Sequence, residues 1–215
     1  AREALSQIGY CKVTSEKFPS KMTSKLARLL GYLTAEGSFV EGRNPNTIHF
    51  SNSKDDVLED YARCWEACFG DLPFFDRSSL GKHRVIVTTR KDVANWLIAV
   101  GFPRGLSPTR RVPHCILEAP SKYIKHYLRA FIEGDGSLTC NRIEMVSSSY
   151  FLLKDVKSLL ATLGLVSTLC PKQVDNSFTP VGGGNYWTLR TLDGVKPMKT
   201  IGVVSAVRRA KLESL

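Results

Sequence analysis

The chain has 215 residues, 43% apolar and 23% charged, an ordinary globular balance that allows one large domain or two small ones, each able to bury a core. No apolar run approaches a membrane span and no signal-peptide pattern opens the chain, so a soluble intracellular protein of cytoplasm or organelle is expected. The net charge is +10, and it is spread over both halves: residues 1–112 hold 17 Lys+Arg against 12 Asp+Glu, and residues 113–215 hold 13 against 8. A broadly basic globule of this kind reads as a polyanion binder, with nucleic acid foremost.

After an irregular lead-in of some twenty residues, Leu26, Leu29, Leu30 and Leu33 recur at helical spacing and predict a helix over 23–36. Strands are expected at 38–41 and 47–51, around the turn Gly42-Arg43-Asn44-Pro45-Asn46. A helix follows over 55–69, with Val57, Leu58, Tyr61, Trp65 and Cys68 on one face, and Gly70-Asp71-Leu72-Pro73 stops it. Strands at 74–77 and 83–89 and a helix over 91–100 complete the first half. The stretch 104–120 carries Pro108, Pro113 and Pro120 and reads as a connector. The pattern then restarts: helix 122–135, strands 137–140 and 143–147, helix 151–163, strands 166–172 and 185–191, and a last helix over 199–212. Helix, two strands, helix, two strands, helix, written twice, argues for α+β with an antiparallel sheet in each half, divided at 1–112 and 113–215.

The halves match most closely at one point. Leu29-Leu30-Gly31-Tyr32-Leu33-Thr34-Ala35-Glu36-Gly37-Ser38-Phe39 returns as Leu128-Arg129-Ala130-Phe131-Ile132-Glu133-Gly134-Asp135-Gly136-Ser137-Leu138. Each copy is an apolar helix ending in an acid and a glycine. Gly after a helix commonly takes the left-handed conformation, and that conformation is expected here. The helix dipole makes a carboxylate at that end unfavourable by roughly 0.3–1 kcal/mol. Two acids placed against the dipole at matched positions, Glu36 and Asp135, point to a bound cation, because a metal reverses the local electrostatics. Two hard oxygen ligands suit Mg²⁺, which keeps several waters and borrows phosphate oxygens. The pairs Gly31/Ala35 and Ala130/Gly134 each fall on one helix face, and small residues there let two helices approach closely. Such packing would carry both acids to a two-fold axis.

Six cysteines, at 11, 64, 68, 115, 140 and 170, form no Cys-x-x-Cys pair and read as reduced, mostly buried thiols.

The two stretches resemble the motifs of LAGLIDADG homing endonucleases in their two-motif monomeric form. The second, Tyr127-Leu-Arg-Ala-Phe-Ile-Glu-Gly-Asp-Gly-Ser137, carries the resemblance most specifically, and the proline-rich connector before it is also typical. The first departs from the pattern, with Thr34 where the family often has an acid and Glu36 where Asp is commoner. The resemblance implies a pseudo-two-fold molecule of duplicated αββαββα units. Its motif helices would pack centrally, and its antiparallel sheets would form a DNA-binding saddle. It implies that Glu36 and Asp135 bind catalytic divalent ions, Mg²⁺ with Mn²⁺ as a substitute. Two phosphodiesters facing each other across the minor groove of double-stranded DNA would be cleaved. It also implies a basic residue near the end of the last strand of each half. Arg90, with Lys91 beside it, and Arg190 are the candidates, as catalytic groups or as phosphate contacts.

Strand side chains alternate faces, and a two-stranded ribbon fits the major groove, where all four base pairs differ. Candidate base readers are Arg43, Asn46, His49, Ser51, Arg77, Lys82, Arg84, Thr88, Asn141, Arg142, Glu144, Lys172, Gln173 and Arg190. They differ between the halves, so an asymmetric target is expected. An intron RNA maturase or a DNA-binding regulator on the same scaffold is the alternative. An intein would begin with a nucleophile and end in His-Asn. The chain begins at Ala1 and ends Glu213-Ser214-Leu215, so a free-standing, intron-encoded monomer is expected.

Overall fold

The computed structural model describes residues 18–40, 44–76, 84–102, 104, 107–139, 142–173 and 185–214. Helix α1 (Ser24–Glu36) starts where Thr23 accepts the Leu26 N–H at 3.1 Å and buries Leu26, Leu29, Leu30 and Leu33, the periodic leucines. It runs directly into β1 (Gly37–Phe39), followed by β2 (Ile48–Asn52), α2 (Asp55–Phe69), β3 (Phe74–Asp76), β4 (Arg84–Thr88) and α3 (Lys91–Ala99). The second half repeats the order: α5 (Ser121–Asp135), β5 (Gly136–Thr139), β6 (Arg142–Ser147), α6 (Tyr150–Thr162), β7 (Ser167–Gln173), β8 (Asn185–Thr191) and α7 (Val195–Ile201). Between the halves the connector holds a 3₁₀ turn (Ser107–Thr109) and a one-turn helix, α4 (His114–Leu117).

The two sheets are both four-stranded and antiparallel, in the orders β1-β2-β4-β3 and β5-β6-β8-β7. Their registers correspond. Gly37 pairs with Phe50 and Phe50 with Ile86; Gly136 pairs with Met145 and Met145 with Leu189. Phe50, Ile86, Met145 and Leu189 are buried, so each sheet lays one face on the helices and turns the other to solvent. In the first half an aromatic stack fixes that packing: the Phe50 and Tyr61 rings lie parallel with centroids 4.1 Å apart, and Tyr32 tilts against Phe50 at 5.6 Å.

Two sequence expectations are revised by the fold. The glycines after the motif helices are extended (Gly37 φ −78, ψ 146; Gly136 φ −88, ψ 145), not left-handed. Glycine is needed there for room: a Cβ would lie 2.5 Å from the Leu33 carbonyl oxygen and 2.6 Å from that of Ile132. The left-handed stop appears instead at Gly70 and Gly164, behind α2 and α6. The last helix is also two. After α7 the chain breaks at Gly202 (φ 81) and resumes as α8 (Ala206–Glu213), with Ser205 as its cap. The break lets the Val204 N–H reach the buried Glu133 carboxylate at 3.2 Å, which a continuous helix would forbid.

Candidate functional site

Helices α1 and α5 make the most extensive helix–helix contact of the molecule, and small residues set its closeness. A side chain at Gly31 would fall on the Tyr127 carbonyl oxygen and reach Ala130 Cβ at 3.0 Å. One at Gly134 would meet Ala35 Cβ at 2.6 Å and Glu36 Cγ at 3.1 Å. The Glu36 side chain therefore lies against α5 one residue before Asp135. Both acids sit at the same end of the helix pair, in accord with the small-residue pattern.

The surroundings penalise charge. Burial first, and then the neighbouring Glu36, push the Asp135 carboxyl up to about 8, with the Arg110 guanidinium pulling the other way. Arg110 comes from the connector. It donates to the terminal carbonyls of α1 and β1, at Thr34 (3.0 Å), Ala35 (2.9 Å) and Gly37 (2.6 Å). A cation on these carbonyls offsets the negative end of the helix dipole beside two acids. Burial holds Arg110 below the usual guanidinium range, against the pull of Asp135 and Glu36.

The end of α5 is finished by a pseudo-equivalent device. Arg208, from α8, donates to the Gly136 carbonyl, as Arg110 does to that of Gly37. It differs in also binding an acid: Arg208 Nε lies 3.1 Å from Glu133 Oε1, and Lys54 Nζ is 3.0 Å from the same oxygen. Glu133 is 2% exposed. Burial raises its carboxyl, but Arg208, Ser205 and Lys54 outweigh that and hold it below the ordinary range. Thr34, its counterpart in α1, is neutral and bonds the Leu30 carbonyl within its own helix at 2.7 Å. A cavity of about 340 Å³ opens beside these groups, lined by Glu36, Ser51–Lys54, Glu133, Gly134, Gly136 and Arg208.

The hydrogen-bond register sorts the remaining sequence candidates. His49 and Ser51 alternate with the buried Ile48 and Phe50 and lie on the solvent face of the first sheet. Arg84 and Thr88 fall in the opposite phase. They pair with Asn52 and Ile48 on the helix-side face, where Thr88 is buried and Arg84 is bonded to Asp55 at 3.0 Å. In the second sheet Arg142, Glu144, Lys172 and Arg190 share the solvent face. There Glu144 accepts from Arg190 at 2.8 Å and lies 3.4 Å from Lys172. Asn46 sits in the turn before β2 and accepts from Arg104 at 2.9 Å. Gln173 is the last residue of β7. Arg43, Arg77, Lys82 and Asn141 lie outside the described residues.

Arg90 is not brought to the acids. It lies at the Ile48 end of the sheet, at the far end of β4 from Arg84, which pairs with the cavity residue Asn52. There it immediately precedes α3 without capping it, and binds Asp71 at 2.7 Å and Asp92 at 2.6 Å. Nor is Arg190 its counterpart. Arg90 follows Ile86 by four residues, and the residue four after Leu189 is Asp193. Sequence reasoning passed over Arg110, Lys54, Glu133 and Arg208. Only Glu133 carried a signal, a second acid inside the motif facing Thr34 in the repeat.

Among the described residues no cluster of three or more His, Cys, Asp or Glu is arranged to hold a metal. The donor set at the helix ends is two carboxylates. Hard oxygen donors, one of them held out of its ordinary titration range by burial and a like charge, fit a hard divalent cation that completes its shell with water and phosphate. Cys64, Cys68, Cys115 and Cys170 are free, and burial pushes the first three thiols up to about 12. No helix among the described residues is long and apolar enough to cross a membrane.

The duplicated geometry agrees with comparison to known proteins. A family model described as "LAGLIDADG-like domain" matches residues 23–94 and again 122–193. The chain is 30% identical over 139 residues to the DNA polymerase II large subunit of Thermococcus kodakarensis, a match covering 63% of this chain and 7% of that protein. It thus spans a small fraction of that relative's length. Among solved structures, "The crystal structure of I-DmoI in complex with DNA and Ca" superposes with a TM-score of 0.63 at 12% identity, over 89% of this chain and 98% of that one. The homing endonuclease I-WcaI bound to its DNA recognition sequence gives 0.58 at 10% identity, over 97% of both chains. Full-length DUF199/WhiA from Thermatoga maritima gives 0.53 at 12% identity, over all of this chain and 66% of that one. At these identities the likeness is one of fold.

Proposed function

The chain belongs to the LAGLIDADG-like domain family, and on that premise we propose that it is a site-specific endonuclease. Its substrate is a long asymmetric DNA duplex, in which it cleaves one phosphodiester of each strand across the minor groove. The observation that carries this reading is the placement of Glu36 and Asp135. Two acids meet at the ends of two helices, half-buried, and burial with the neighbouring Glu36 charge holds the Asp135 carboxyl above its ordinary range.

Glu36 and Asp135 would hold divalent ions, Mg²⁺ or Mn²⁺. Bound at such a site, these ions supply a water of lowered pKa and neutralise charge on the leaving oxygen. The chain's own residues do the positioning. The Gly31/Ala130 and Ala35/Gly134 contacts lock the two carboxylates relative to each other. Arg110 and Arg208 hold the two helix ends by their carbonyls, so the acids do not drift when the site fills. One chain supplies both acids, so it acts as a monomer.

His49 and Ser51 in the first sheet, and Arg142, Glu144, Lys172 and Arg190 in the second, are the base-reading positions of this proposal. Glu144 holds the Lys172 and Arg190 cations in fixed places, which favours reading over loose phosphate contact. Arg90 is given a structural role, because both of its near neighbours are acids at the far end of the sheet.

The test is a plasmid carrying the sequence that flanks the reading frame in its host. Linearisation in Mg²⁺ or Mn²⁺ supports the reading, and an intact plasmid in both counts against it. A second reading, DNA binding without cleavage as in a regulator or maturase, draws on the match of the whole chain to full-length DUF199/WhiA, whose name carries no nuclease. Glu36→Ala with Asp135→Ala separates the two, since a pure binder is indifferent to them.

A further inference from the structure

A cavity of about 600 Å³ lies between α6 and the strands β7 and β8, lined by Tyr150, Lys154, Lys157, Ser158, Leu169 and Trp187. Two periodicities put these side chains together. Residues 150, 154, 157 and 158 share one face of α6, beside the buried Leu153 and Leu160. Trp187 lies two residues before the buried Leu189, and Leu169 pairs with Leu189, so both sit on the helix side of the sheet. The cavity is therefore on the other side of the sheet from Arg142, Glu144, Lys172 and Arg190.

The first half builds something different at the matching position. Lys54 and Ser149 are the N-cap residues of α2 and α6, so Asp55 corresponds to Tyr150 and Glu59 to Lys154. Ile86 pairs with Phe50 and Leu189 with Met145, so Arg84, two before Ile86, corresponds to Trp187. Asp55 and Arg84 form an ion pair at 3.0 Å, and Glu59 lies 3.7 Å from Arg63. In the second half the ion pair is replaced by two rings: Tyr150 and Trp187 lie with centroids 4.6 Å apart, tilted by 59°. The acid one turn along is replaced by Lys154. One backbone thus accepts either chemistry here, so the aromatic and basic version is not imposed by the fold.

The rings are only half-buried, unlike the core aromatics Tyr61 and Trp65. Large aromatic area left beside a cavity is area that a ligand can cover. Lys154 and Lys157 are exposed and one turn apart on the helix wall. Ser158 spends its proton on the Lys154 carbonyl at 3.2 Å. The volume falls within the range of small-ligand sites, about 300–1,000 Å³. A planar group to lie against the rings, joined to an anion for the two ammonium groups, is the complement of this cavity. We infer that the cavity between α6 and β7/β8 is a binding site for an unpaired nucleotide, with the base against Tyr150 and Trp187 and its phosphate on Lys154 and Lys157. A base inside a duplex has both faces stacked on its neighbours, so the occupant is single-stranded. The inference does not depend on the endonuclease reading, and the site is separate from the base-reading face proposed for duplex DNA.

The experiment titrates the protein with short labelled oligothymidylate and oligouridylate, followed by anisotropy, beside a labelled duplex. At least one oligonucleotide is expected to bind. Tighter binding of the uridylate marks RNA as the source of the nucleotide, and equal or tighter binding of the thymidylate marks a DNA strand. Lys154→Gln with Lys157→Gln is expected to weaken oligonucleotide binding about 10-fold or more and to reduce its log–log salt slope by about 0.7 for each lysine. Duplex affinity should change less than about threefold. Trp187→Leu is expected to cost about 5- to 150-fold, and Trp187→Phe to retain most of the affinity. Should Trp187→Leu fail to fold, the two exposed lysines still decide the matter. A 5-iodouracil oligonucleotide should photo-crosslink to Tyr150 or Trp187, mapped by peptide mass. The inference is overturned if neither oligonucleotide binds, if the lysine variant weakens oligonucleotide and duplex equally, or if the crosslink maps to the opposite face of the sheet. Displacement by an oligoglutamate of equal charge also overturns it, since the rings would then add nothing. Each of these failures leaves the endonuclease reading standing.

Discussion

At the end of α1 a threonine, Thr34, stands where α5 has the glutamate Glu133, and the environments diverge from there. Thr34 satisfies its hydroxyl inside its own helix. The α1 end is then completed by one arginine, Arg110, on bare carbonyls. Glu133 is a buried charge and must be paired, so it gathers Lys54 from the first half and Arg208 and the Val204 N–H from the C-terminal segment. The comparison teaches that a repeat can keep its backbone while its two sites take different electrostatics. One substitution inside the motif decides whether a C-terminal segment is recruited.

The largest effect expected is on chemistry. Asp135→Asn and Glu36→Gln should each lower cleavage by about 10³-fold or more while leaving cognate DNA binding in place, by gel-shift in metal-free buffer. Equal loss from both would say that the two carboxylates act as one unit.

The sharpest test of the comparison itself is the matched pair Glu133→Gln and Thr34→Val. The first strands Arg208 and Lys54 near a buried neutral group and should cost about 3–5 kcal/mol. The second loses one helix-internal hydrogen bond and should cost about 1 kcal/mol or less. Urea denaturation of both variants reads the difference, and equal losses would break the contrast drawn above.

The symmetric feature, by contrast, should respond alike on both sides. Gly31→Ala and Gly134→Ala drive a methyl into the facing helix, at the Tyr127 carbonyl and at Ala35 Cβ, and each should cost about 1–3 kcal/mol.

The smallest effect expected has the opposite sign. The folded state holds a proton on Asp135 up to about pH 8, whereas the unfolded chain releases it near 3.8, the ordinary aspartate value. The stability tied to that proton is therefore full below about pH 4 and is lost as pH rises toward 8. Asp135→Asn should remove this loss and raise the thermal midpoint near pH 8 by a few degrees, about 1–3 kcal/mol. Divalent-ion affinity should rise across the same window with release of a proton, measured by calorimetry in buffers of different ionisation enthalpy.

Much of the architecture was legible because it is written in local periodicity. The helix 55–69 and the strand 185–191 fall where the pattern puts them, and most other ends shift by a residue or two. The acids and the small-residue faces of α1 and α5 were visible because they recur at matched positions. What failed was whatever depended on partners far along the chain. Thr88 lies buried on the helix side because strand phase follows pairing register, which no single strand displays, and Arg84, in the same phase, is exposed and paired with Asp55. Arg90 resembled a site residue by strand position, yet its charge is spent on Asp71 and Asp92.

From the amino-acid order alone follow the repeat, the two sheets and the meeting of Glu36 with Asp135, since each needs only helix and strand periods and the reach of a glycine. The folded molecule alone decided which cations serve that meeting point. Arg110, Lys54 and Arg208 lie in a connector, a helix cap and a terminal helix, and nothing local distinguishes them from surface charges. Their roles arise from desolvation and a few ångströms of proximity, and those exist only once segments distant in sequence have closed on one another.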